Sequence, residues 1–431
     1  MLALGLGVAA IAQNSFNVPY SQYGVGDLYQ PYNMPMASKM GGVVYSQSGN
    51  NYINPFNPAS YGAIQSQSFV FDMGVNIEMC NLKGPHASLY DADGNVGYLL
   101  IGFPITKWWK TSIGLMPYSN VNYESVQTLT DTTTYGKMKT IYEGVGGVSQ
   151  LTWGHAFNIG KRLSLGFNVN YLTGNIQRAI TYDFKQGDTN YFVNSRRLKD
   201  TYIRNFTFDF GIQYYQPLGE KYTLEMGAVF KPQITTKLTD KALIYTVNGK
   251  EQLLDTIFPY VGEDGEYKSE LTQPWTIGVG LSLLRNNKWR IAGDFTYATH
   301  SGLMYKENIS VNLFGSSVLH NVENDNMRMA LGFDWLGDRN ASKYIHRIGF
   351  SAGIHYEKGK LMLNIDQKIH ELDEMGVGIG ATLPMRKGRS LLNLSFAYRR
   401  FGDINPLMRE CWTIGIGISS CETWFVKRKY N

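Results

Sequence analysis

The sequence predicts an all-β protein, a 14-stranded antiparallel transmembrane β-barrel with an N-terminal hatch, or plug, inside the lumen. Three observations carry this. Apolar and polar residues alternate with a period of two over many segments, as they must where lipid covers one face of a strand and water or a plug the other. Connections alternate between short and long along the chain, which is the pattern of a barrel with tight turns at one rim and loops at the other. After residue 13 no segment holds the roughly 18 uninterrupted apolar residues that a spanning helix needs, so this chain would cross a membrane with strands. Composition agrees: 29 Tyr, 21 Phe, 8 Trp and 46 Gly with 17% charged residues suit a wall with aromatics at its boundaries and glycines facing a plug. The net charge of +5 is spread along the chain. Nucleic-acid binding requires a concentrated Lys/Arg stripe, so nucleic acid is excluded as a partner.

Residues 1–13 read as a residual signal peptide. The apolar run from Leu2 to Ala12 ends in Ala10-Ile11-Ala12, an h-region and cleavage site without the basic start, and the mature chain is expected to begin near Gln13 or Asn14. Residues 14–65 do not alternate and are rich in Asn, Ser, Gly, Pro and Tyr. Phe16, Val18, Tyr20, Tyr23, Tyr29 and Tyr32 give this stretch more apolar surface than a disordered tail carries, which fits a segment packed in a lumen. Phe16, Val18, Tyr20 and Tyr23 are its candidate ligand contacts.

Residues 66–425 form the predicted barrel. Alternation is closest in Leu163 to Tyr171 and Phe206 to Tyr214, and returns in Tyr222 to Phe230, Ile277 to Leu283, Met329 to Trp335, Ile348 to Tyr356, Leu392 to Tyr398 and Trp412 to Ile418. Short turns are predicted at 106–110, 158–162, 217–221, 285–288, 337–343 and 384–389. Longer polar stretches lie near 79–95, 124–143, 183–203, 240–268, 300–325, 357–375 and 399–410. Six short and seven long connections join fourteen strands, with both termini, including the tail 426–431, periplasmic and the long loops extracellular. Trp108, Trp109, Trp289, Trp335 and Trp424 fall near the periplasmic ends and Trp275 and Trp412 near the outer ends, as two girdles. The place is the bacterial outer membrane, among lipid and lipopolysaccharide.

Asp209, Glu225, Lys231, Arg290, Asp294, Arg328 and Asp334 are predicted to point inward, because a Lys or Arg facing lipid at mid-depth costs roughly 2–4 kcal/mol. They either hold the plug or line a polar pore. Pro117 stands inside the third strand, where it removes a ladder hydrogen bond and predicts a local break or bulge. Cys80 and Cys411 are expected near the outer ends of the first and last strands, neighbours in a closed barrel, so a disulfide between them is open to an oxidising envelope, with Cys421 far from both. The seven His lack metal-ligand spacing, and neither a Gly-x-Ser-x-Gly elbow nor a phosphate loop occurs. The sequence therefore calls for no enzyme, no metal and no cofactor.

Within the N-terminal stretch, Met36-Ala37-Ser38-Lys39-Met40-Gly41-Gly42-Val43, followed by Asn54-Pro55-Phe56-Asn57-Pro58-Ala59-Ser60-Tyr61, resembles the hatch of the FadL-type (OMPP1/FadL/TodX) outer-membrane transporters of hydrophobic compounds. The motif covers residues 36–61 and the architecture nearly the whole chain. Ser60-Tyr61 departs from the Gly-Leu common there, and the end from Glu410 to Tyr430 resembles Bacteroidetes members. The resemblance implies Gly41, Gly42, Asn54, Pro55, Asn57, Pro58 and Ala59 as the hatch motif and passive diffusion of a hydrophobic small molecule such as a fatty acid. It also implies lateral release through the wall, with Pro117 as the gate. The alternative is a structural or accessory barrel that docks envelope proteins in a larger outer-membrane machine.

Overall fold

The computed structural model describes residues 18–22, 24–84, 88–131, 136–184, 193–247, 253–258, 266–285, 288–299, 305–307, 325–339, 341–365, 368–385, 389–404 and 407–423. Its strands are β1 (Asp27–Leu28), β2 (Ser68–Lys83), β3 (Ser88–Pro104), β4 (Trp109–Asp131), β5 (Gly136–Ile159), β6 (Leu163–Phe184), β7 (Asn194–Leu218), β8 (Tyr222–Lys231), β9 (Ile234–Val247) and β10 (Leu253–Ile257). They continue with β11 (Glu266–Gln273), β12 (Thr276–Arg285), β13 (Trp289–Thr299), β14 (Tyr305–Glu307), β15 (Asp325–Trp335), β16 (Gly349–Ile365), β17 (Lys368–Met385), β18 (Ser390–Asp403) and β19 (Leu407–Thr423).

The wall is an antiparallel ring of fourteen strands. β1 lies in the N-terminal segment, and β10 and β14 are short pieces at the loop rim. β8 with β9, and β11 with β12, are halves of single strands interrupted at Pro232 and Pro274. The ring closes where β19 pairs with β2 from Met408↔Lys83 to Thr423↔Ser68. Closure matters because lipid offers no partner to an open edge, and only a closed ring satisfies the backbone. No helix among the described residues is long and apolar enough to cross a membrane.

Period-two alternation becomes two faces. On β19, Trp412, Ile414, Ile416 and Ile418 are exposed outward while Cys411, Thr413 and Ser419 are buried. Asp209, Glu225, Arg290, Asp294, Arg328 and Asp334 are buried on the inner side. Lys231 points to the same side, pairing with Asp209, but its side chain stays 43% exposed.

The outer connections differ from the sequence reading. Strands run far into the stretches expected as loops: β2 reaches Lys83 and β3 resumes at Ser88, β4 reaches Asp131 and β5 resumes at Gly136, β16 reaches Ile365 and β17 resumes at Lys368. Beyond the lipid both faces of a hairpin meet water, so the pairing continues while the apolar alternation that reveals it stops. Trp275 is affected in the same way. It sits at the proline interruption between β11 and β12, with all of β11 beyond it, and not at a strand's outer end. Trp289 and Trp335 are ladder partners near the short-turn rim, next to Phe350, while Trp412 lies opposite Met79 toward the loop rim. Trp424, the signal-like residues 1–13 and the tail 426–431 fall outside the described residues.

Cys80 and Cys411 are directly opposed in the β2–β19 ladder, with Cα atoms 4.1 Å apart, and form a disulfide. Val18 and Tyr20 pack against it from inside. Cys421 is a free thiol in the same strand near the other rim.

Candidate functional site

Residues 18–22 and 24–64 pack against buried side chains of the wall strands. Pro35–Ser38 forms a single helical turn with Pro at its start, where the missing N–H costs nothing. Gly41 and Gly42 then take positive φ values of 68° and 83°, and the N–H groups of Gly41 and Gly42 bond the carbonyls of Ser38 and Ala37 at 3.0 and 2.8 Å. A residue with Cβ is disfavoured in that conformation, so the Gly-Gly pair is what ends the turn. Asn54 donates to the carbonyls of Val44 and Gln47 at 2.6 and 2.9 Å. Asn57 donates to the Tyr45 carbonyl at 2.7 Å and accepts from the Ala59 N–H at 3.1 Å, capping the 3-10 turn Pro58–Ala63. Pro55 presents its carbonyl to Asn168 at 3.1 Å.

The wall holds this segment by buried side chains. Asp294 accepts from the backbone N–H groups of Val44 and Tyr45 at 2.6 and 2.9 Å. Asp72 accepts from the Ile53 N–H and the Tyr98 hydroxyl, both at 3.1 Å. Arg328 donates to the Gly42 carbonyl, Tyr61 to Asn168, and Lys39 to Thr382 and Asn393. Burial pushes the Lys39 ammonium below its ordinary value, partly offset by the charge of Asp334. Inward glycines complete the fit. A Cβ on Gly353 would fall 2.1 Å from the Met40 carbonyl carbon, and one on Gly227 would fall 1.9 Å from the Tyr45 oxygen. The motif residues thus build a packed layer, with Met40, Asn57 and Ala59 at 0% exposure.

On the loop side of this layer is a cavity of about 270 Å³. The N-terminal segment contributes Val18, Tyr20, Val25, Leu28, Tyr29 and Phe56 to it. Phe208, Pro232, Pro274 and Phe401 add apolar surface from the wall, and Asp209, Lys231, Arg328 and Arg409 add charge. Arg409 pairs with Asp27 at 3.0 Å, and Gln273 donates across the cavity to the Tyr118 hydroxyl at 2.8 Å.

Two interruptions of the wall border the cavity. β3 and β4 pair only from Pro104↔Lys110 to Leu99↔Leu115. Just beyond, β3 carries a bulge between Tyr98 and Val96 and β4 another between Pro117 and Ser119, so the strands part. The freed edge of β4 is taken by the N-terminal segment: Asp27 and Leu28 pair with Asn120 and Ser119, and the Tyr29 and Val18 N–H groups bond the carbonyls of Tyr118 and Asn122 at 2.9 and 2.7 Å. The second interruption lies between β7 and the β8/β9 strand. Its ladder stops at Phe210↔Phe230 and resumes at Tyr202↔Thr239.

Of the residues singled out in the sequence, Val18 and Tyr20 line the cavity and Phe16 and Tyr23 lie outside the described residues. Gly41, Gly42, Asn54, Pro55, Asn57, Pro58 and Ala59 come together below the cavity and do not line it, and Pro117 stands at the first interruption with Tyr118 as the lining residue. Sequence reading passed over Pro232 and Pro274. Two prolines inside otherwise alternating segments were the available signal, the same one that drew attention to Pro117.

Among solved structures, the chain is similar to the CymD monoaromatic hydrocarbon channel (TM-score 0.57, 12% identity, covering 92% of this chain and 98% of that one). It is also similar to the Ralstonia pickettii toluene transporter TbuX (0.58, 13%, 91% and 98%) and to a Pseudomonas aeruginosa FadL homologue (0.54, 13%, 90% and 98%). At these identities the likeness is one of fold. No curated protein shows a significant match by sequence. The FadL-type resemblance therefore holds for the barrel, while a different family model, BamG, matches residues 1–431. The chain belongs to the BamG family.

Proposed function

We propose that this protein admits a hydrophobic small molecule from the outer face of the outer membrane into the cavity and releases it sideways into the bilayer. Residues 18–64 act as a hatch that blocks the axial route. The observation that carries this reading is a cavity with an aromatic lining, set directly on a sealed layer and bordered by interruptions of the wall. The solved neighbours include a hydrocarbon channel and a toluene transporter, which supports the same direction. Short turns then face the periplasm, with both termini, and the long hairpins face outward.

The test is titration of an environment-sensitive fluorescent fatty acid into the detergent-solubilised protein. Saturable binding is expected. Leu28→Glu places a carboxylate in the cavity and should weaken binding about tenfold or more, since an unpaired buried charge is costly. Non-saturable partitioning equal in both proteins would reject the reading.

A second reading, an accessory barrel docking envelope proteins, is favoured by one observation. From Ala92 to Tyr98 the edge of β3 that faces the split has no ladder partner among the described residues, and such an edge can accept a strand from another protein.

A further inference from the structure

The seam between β7 and the β8/β9 strand gives the cavity a lateral opening to lipid distinct from the split at Pro117. Residues 203–209 of β7 have no ladder partner on that side among the described residues. The facing stretch runs through Pro232, which has no N–H to donate, and on the next strand Pro274 removes another donor beside it. The β8–β12 and β9–β11 ladders share one register across these prolines, whereas the β7 ladder slips by one residue. The seam therefore faces β7.

The unpaired stretch of β7 borders the cavity, which Thr207, Phe208 and Asp209 all line. Phe206, Phe208 and Phe210 form one outward row, exposed by 54%, 40% and 48%, yet Phe208 also lines the cavity. Side chains bridge the seam where backbone does not: Lys231 and Asp209 pair at 3.8 Å, and Asn205 donates to Thr236. Each pair occupies the cross-strand position that the adjoining ladder would give it. At the Pro117 split, by contrast, the β4 edge is already bonded to the hatch from Tyr118 to Asn122.

We infer that the β7–β8/β9 seam is the exit through which a small amphiphile leaves the cavity for the bilayer, with the Asp209–Lys231 and Asn205–Thr236 pairs as its latches. The inference rests on the proposed function and locates its exit. Proline, not sequence-specific recognition, keeps the seam unzipped, and the latches are the only cross-strand bonds a passing molecule must break among the described residues there.

The test uses the full-length protein in liposomes, photolabelled with a hydrophobic aryl diazirine and mapped by mass spectrometry. Adducts are expected in the cavity, whose lining includes residues 207–209, Lys231 and Pro232, and on the seam residues beyond it, 203–206 and 233–236. Asn205→Cys with Thr236→Cys, in a Cys421→Ser background, should form a crosslink that removes the seam adducts while cavity adducts persist, with each single variant labelling like the parent. Cavity adducts accompanied by labelling along β3 and at Met116 and Pro117, with none on residues 203–206 and 233–236 of the unlocked protein, would overturn the seam as the exit. Absence of cavity adducts in every protein would instead overturn the proposed function. Because the wild-type map alone separates these outcomes, a locked variant that fails to fold does not blunt the test.

Discussion

Converting Cys80 and Cys411 to serine together is expected to cost about 2–5 kcal/mol, read as a lower temperature at which the barrel unfolds in heat-modifiability gels. The disulfide joins residues separated by 331 positions, and it ties the first wall strand to the last. Closing so long a loop removes much of the entropy of the unfolded chain, which is the main source of the effect in the loop-entropy account. The variant should still fold, because the β2–β19 ladder runs the whole length of both strands and Arg399 and Thr413 still converge on Glu78. Val18 packs on the disulfide, so the start of the N-terminal segment should loosen with it, visible as faster amide exchange near residue 18. An unchanged unfolding temperature would mean that the ladder alone fixes this seam.

Gly353→Val is expected to expel the Met40–Gly41 corner of the N-terminal segment while leaving the ring closed. The added Cβ would lie 2.1 Å from the Met40 carbonyl carbon and 2.4 Å from the Gly41 nitrogen, both backbone atoms that cannot swing away. Overpacking of this kind costs about 1–3 kcal/mol, and here the N-terminal segment gives way more easily than the wall. In planar bilayers the variant should show ion conductance that the parent lacks, and protease should cut between residues 31 and 64. Gly94→Ala serves as control, since its Cβ would meet nothing nearer than 3.8 Å. A silent, protease-resistant Gly353→Val protein would show that the layer shifts as a unit and is not keyed to this glycine.

The barrel was legible because lipid imposes a rule on every strand. Segments such as Phe206 to Tyr214 alternate for that reason, and they appear as the core of β7. Where lipid ends the rule ends, which is why β4 and β5 extend to Asp131 and Gly136 through residues that read as loop. The layer below the cavity was readable where backbone chemistry is demanding, as at Gly41, Gly42 and the capping Asn57. Its anchors on the wall were less so. Asp294 could be assigned to the inner face by alternation, but nothing local says that it accepts from Val44 and Tyr45, some 250 residues away. Asp72 likewise meets Ile53 only through the fold. The cavity was the least legible feature, since it is assembled from the N-terminal segment and many wall strands, and its borders depend on where ladders stop. Pro117 marked one border. The other needed Pro232 and Pro274 to be seen side by side, which requires the register of strands 42 positions apart.

The central claim is that the cavity serves a small hydrophobic molecule, and the most direct measurement is mass spectrometry of the protein purified in mild detergent. The account predicts a co-purifying hydrophobic compound, held by the parent and lost from Leu28→Glu. A stoichiometric protein partner with no bound small molecule would contradict it and leave the docking barrel as the reading to pursue.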